Sequence, residues 1–106
     1  MKIEQIQKDI AKKIINYEKN IDYYEFDNNY KNEKEAFNDI LETLRNSNGV
    51  IYILEMLNND IRYYEKLYKI NQNDCYVNKV LKEGKNLYNE IKEYQDSMVK
   101  MEKGRW

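Results

Sequence analysis

The chain has 106 residues, of which 53 are Ile, Asn, Lys or Tyr; it holds no Pro, no His and one Cys, and its formal charge is −1. That length fits one domain. The missing His removes the commonest general base and metal ligand, the lone Cys removes disulfide frameworks and Cys-rich zinc sites, and the near-neutral charge disfavours nonspecific nucleic-acid binding.

Apolar residues recur at helical spacing almost throughout. Ile3, Ile6, Ile10, Ile14, Tyr17, Ile21 and Tyr24 step by three and four, which predicts a helix over about 2–26. Asp27-Asn28-Asn29 reads as a turn, because these side chains compete for backbone hydrogen bonds. Asn32 and Glu35 have capping-box spacing and open a second helix, 32–46, carrying Ala36, Phe37, Ile40, Leu41 and Leu44. Asn46-Ser47-Asn48-Gly49 is the strongest break, since Asn and Gly both tolerate the left-handed conformation that ends helices. Val50, Leu54, Leu57, Ile61, Tyr64 and Tyr68 predict a third helix, 50–70. Asn71 to Asp74 forms the next break, with Asn73 or Asp74 as N-cap. The last helix, 74–103, carries Val77, Val80, Leu81, Leu87, Tyr88, Ile91, Tyr94, Met98 and Met101. Gly84 falls on its apolar stripe, which suggests a close helix approach or a mild bend.

These elements predict a single all-α domain over residues 1–106, a compact antiparallel bundle of about four helices. The predicted lengths do not match. At 1.5 Å per residue the last helix spans about 45 Å and the second only about 23 Å. Such an overhang is covered by a second copy or another protein, or else it frays. No apolar core of signal-peptide length opens the chain, and the run Val50 to Leu54 is far too short to span a membrane. The expected location is the cytoplasm.

Candidate chemistry is sparse. Cys75 sits at a predicted helix start, but no His exists to pair with it. Glu90 with Glu93 and Asp39 with Glu42 lack the His of a di-metal helical site, and no glycine cluster suits a phosphate loop. No catalytic residue, cofactor or metal ligand is assigned, and the expected activity is binding rather than catalysis.

Tyrosine and charge carry the remaining information. Tyr17, Tyr24, Tyr64, Tyr68, Tyr88 and Tyr94 fall on apolar stripes, where the ring packs and the hydroxyl reaches an edge. Tyr23, Tyr30, Tyr52, Tyr63 and Tyr76 fall off them, and exposed Tyr is enriched at protein interfaces. Residues 18–44 hold eight acidic and three basic side chains, a stretch suited to a basic partner or to Lys82, Lys85 and Lys92 of the last helix. The contact residues assigned are Tyr23, Glu25, Asp27, Tyr30, Glu33, Tyr63 and Tyr76, and Trp106 is a further candidate anchor.

Lys, Asn, Ile and Tyr are all served by AT-rich codons, so the composition also suggests a low-GC genome. In length and four-helix pattern the chain resembles small bacteriocin immunity proteins. It also resembles the compact, non-enzymatic phage proteins that block host defence, anti-CRISPR proteins among them. The helical hairpins of type VII secretion carry Trp-x-Gly at the central turn, whereas Asn48-Gly49 has no Trp. The expectation is an inhibitor or adaptor docking on a larger host assembly, from a phage or mobile element. An immunity protein and a weak single-stranded nucleic-acid binder using Tyr stacking with Lys79, Lys82, Lys85 and Lys92 are the alternatives. A homodimer is a further possibility for the partner.

Overall fold

Apolar residues at steps of three and four dictate helices, and four form in a computed structural model. It describes residues 2–19 and 33–103, with the side chains of 3–19 and 34–100. The elements are α1 (Lys2–Lys19), α2 (Glu33–Thr43), α3 (Ser47–Ile70) and α4 (Cys75–Lys103). The expected all-α bundle is present. The predicted continuation of the first helix to residue 26 and the turn after it lie outside the described residues.

Helix α2 packs on α1, α1 on α4, and α4 on α3. Each neighbouring pair is antiparallel. Lys34 and Phe37 share a groove with Lys19 and Ile15. Gln7 meets Tyr94 while Tyr17 meets Gly84, and Tyr64 stands against Tyr76 while Ile61 reaches Gly84. The molecule is thus two helical hairpins, α1–α2 and α3–α4, joined along an α1–α4 seam. Its core is mainly aliphatic, with Ile14, Leu44, Val50, Ile53 and Ile91 fully buried beside the rings of Tyr17, Tyr64 and Tyr94. Each such side chain contributes about 2 kcal/mol by leaving water.

The caps explain where the helices begin and end. Asn46 has extended backbone, and its side chain accepts from Gly49 N at 2.7 Å. This is N-cap geometry, so α3 starts at Ser47 rather than at 50. The break expected over Asn46 to Gly49 is therefore corrected: Ser47 to Gly49 are helical, and among the described residues no glycine has positive φ. Gly49 lies in the first helical turn, α2 ends at Thr43 rather than at 46, and the break moves back to Leu44–Asn46. Asp74 is the N-cap of α4, its Oδ1 accepting from Tyr76 N at 2.9 Å and Val77 N at 3.3 Å.

The inward face of α1 is rotated from the predicted one. Ile6 is 43% exposed, while Gln7 and Ala11 are buried. Gln7 is tolerated inside because its Nε2 donates to Tyr94 Oη at 2.9 Å. Tyr94 Oη in turn donates to the Leu44 carbonyl at 2.5 Å. One hydroxyl thereby satisfies a buried amide and a carbonyl just past the end of α2.

Helix α4 remains the longest element, about 43 Å against about 36 Å for α3 and about 17 Å for α2. The early start of α3 covers more of it than predicted. Burial on α4 continues through Tyr94 and partly to Met98, and Val99 is exposed.

Candidate functional site

The seven predicted contact residues divide by position. Tyr23, Glu25, Asp27 and Tyr30 lie outside the described residues. Glu33 opens α2, and its side chain lies outside them as well. Tyr63 and Tyr76 are described and exposed, at 39% and 38%. Tyr63 adjoins the buried Tyr64 in α3, and the hairpin register brings Tyr76 of α4 onto the same ring. The Tyr63 and Tyr64 centroids are 5.1 Å apart with planes at 89°. Tyr64 and Tyr76 are 6.3 Å apart at 75°. Both are edge-to-face contacts, in which the positive edge of one ring meets the negative face of another. Two exposed rings thus rest against one core ring.

The other tyrosines fall where the stripes put them. Tyr17, Tyr64 and Tyr94 are buried, and Tyr68 and Tyr88 pack partly against the core. Tyr52 is exposed. Tyr24 lies outside the described residues, as does Trp106.

Beside the aromatic cluster is a polar patch that the sequence reading missed. Asp60 of α3 is 1% exposed. Tyr17 lies alongside, its Oη buried and without a hydrogen-bond partner among the described residues. Burial raises the Tyr17 hydroxyl well above the ordinary tyrosine range, with Asp60, Tyr64, Glu83 and Tyr76 adding in that order. It therefore stays protonated. Burial, and then the Asp60 carboxylate, pushes the half-buried Glu18 up to about 7 from 4.5. The period contained the signal for Asp60: it follows Leu57 by three and precedes Tyr64 by four.

Glu18 gives this patch a pH signature. Its proton is held more tightly in the folded chain than in the unfolded one, so ionisation destabilises the fold. The penalty is absent below about pH 4.5, grows between there and about 7, and is complete above. Glu18→Gln is expected to stabilise the protein by about 1 kcal/mol near pH 8, allowing for solvent screening of a half-exposed group. Near pH 4.5 the variant and the parent should unfold at the same urea concentration. Equal urea midpoints at both pH values would contradict the raised pKa.

The remaining chemistry is dispersed. Cys75 is exposed at the start of α4, its Sγ 4.0 Å from the Asn73 carbonyl. Among the described residues no three Cys, Asp or Glu side chains are grouped to hold a metal ion. Among the described residues no helix is long and apolar enough to cross a membrane. In the basic series of the last helix, Lys85 Nζ lies 3.5 Å from Glu65 and Lys92 Nζ donates to Gln95 at 3.2 Å, while Asp22, Glu25, Asp27 and the Glu33 side chain of the acidic stretch lie outside the described residues. Lys82 and Lys85 line a groove of about 510 Å³ between α3 and α4, together with Lys69, Tyr68 and Leu81.

No family model matches this chain, and neither a curated protein nor a solved structure matches it.

Proposed function

We propose that this chain is a non-enzymatic protein-binding module, an inhibitor or adaptor that docks on a larger host assembly. Its setting is the cytoplasm, and its role is the anti-defence one carried by phages and mobile elements. The observation that supports this reading is the Tyr63–Tyr64–Tyr76 cluster. Rigid, amphipathic rings on a packed helical hairpin are the side chains most often found to dominate binding energy. Tyr63 and Tyr76 are the anchors, and Tyr64 is the residue that positions them.

The test is quantitative affinity capture from a low-GC bacterial lysate, using the parent chain, the Tyr63→Ala/Tyr76→Ala pair and Tyr52→Ala. Circular dichroism first establishes that all three are folded. The expected result is one reproducible protein or complex, with recovery falling about tenfold or more in the double variant and unchanged in Tyr52→Ala. Expression of the parent chain, but not of the double variant, then raises phage plaque counts on a defended host. Equal recovery by all three chains, or no reproducible partner, overturns the proposal.

A further inference from the structure

We propose that the groove between α3 and α4 is a second docking site, and that its occupant is an acidic peptide segment of a protein partner. The groove is built from both arms of the hairpin. Tyr68 and Leu81 form an apolar floor, Tyr68 packing partly against the core and Leu81 being 7% exposed. Lys69 stands on the α3 side, with Lys82 and Lys85 on the α4 side. Glu65 is the acidic residue of the lining, and it is already engaged by Lys85 at 3.5 Å. Lys69 and Lys82 meet no carboxylate within 4.0 Å among the described residues.

The charge balance decides the class of occupant. Three ammonium groups face one carboxylate here, in a chain whose formal charge is −1 overall. Two uncompensated cations over an apolar floor match a peptide that offers carboxylates beside an aliphatic side chain. They match a nucleic-acid strand less well. A strand needs a longer run of cations to neutralise successive phosphates. Base stacking also needs an open aromatic face, and Tyr68 is packed against the core. The groove shares no residue with the Tyr63–Tyr76 face, so either site can fail without the other.

Fluorescence anisotropy at low salt tests this, using a labelled glutamate-rich peptide carrying leucines and a labelled oligo-dT of similar length. The parent chain is expected to bind the peptide. Lys69→Glu/Lys82→Glu should weaken that binding about tenfold or more. Lys69→Arg/Lys82→Arg should retain it, as should Lys100→Glu, a charge reversal of an exposed lysine outside the groove. Tyr63→Ala/Tyr76→Ala should also retain it, which separates this site from the first. Absence of peptide binding, an equal loss with Lys100→Glu, or binding of oligo-dT in preference to the peptide overturns the proposal.

Discussion

Gly49→Ala is expected to destabilise the protein by about 3 kcal/mol, although alanine is the better helix former. A Cβ at Gly49 would overlap the Thr43 carbonyl oxygen and lie 2.9 Å from its carbon. Both atoms are backbone, and that oxygen already accepts from Asn46 N at 3.4 Å in the tight connection between α2 and α3. Relief therefore requires the Leu44–Asn46 turn to move. That movement would disturb the buried Leu44 side chain and its carbonyl bond to Tyr94. Urea unfolding followed by circular dichroism measures the loss. Asn48→Ala, at the exposed neighbouring position, should stay within about 0.5 kcal/mol of the parent. A similarly small change for Gly49→Ala would mean that the two helices are not held this close.

Gly84→Ala is expected to be destabilising by about 2 kcal/mol, for a different reason. The added Cβ would meet Tyr17 Oη at 2.9 Å, with Tyr17 Cε1 and Ile61 Cγ1 each at 3.3 Å. These are side-chain atoms, but both residues are buried and have little room to yield. The hydroxyl is the nearest obstacle, and it makes no hydrogen bond among the described residues. Tyr17→Phe alone should therefore be neutral or mildly stabilising, and it should recover about 1 kcal/mol of the Gly84→Ala loss. A double-mutant cycle measures this directly. Simple additivity of the two substitutions would show that Tyr17 Oη is not what Gly84 accommodates.

Gly84 was legible in the sequence, because a glycine on an apolar stripe has few explanations other than a close approach. The helices were legible for the same reason, since the three-and-four spacing survives in all of them. Gly49 was misread. The left-handed preference of Asn-Gly is a property of an isolated turn, and here Asn46 spends its side chain capping the helix that contains Gly49. Ile6 was misread because hydrophobicity ranks it above Gln7 and Ala11. Which face turns inward is set by what α4 presents, and Tyr94 presents a hydroxyl that makes Gln7 acceptable inside. Asp60 was a contest between period and chemistry, and period won. The exposure of Tyr63 and Tyr76 could be read from their positions off the apolar stripes. Their meeting around Tyr64 could not, because it depends on the register between two helices.

The single Tyr94 hydroxyl has a consequence for how the chain assembles. Its two hydrogen bonds span 87 and 50 residues, and the neighbouring Lys13–Glu90 contact spans 77. The α3–α4 hairpin, by contrast, closes across a connection of four residues, 71–74. Short loops close at little entropic cost, so the α3–α4 contacts are local in sequence whereas those of the seam are distant in it. The polar tie at Tyr94 then acts as a register key. A slip of one residue along the seam would strand the Gln7 amide and the Leu44 carbonyl, so the two halves lock in one alignment.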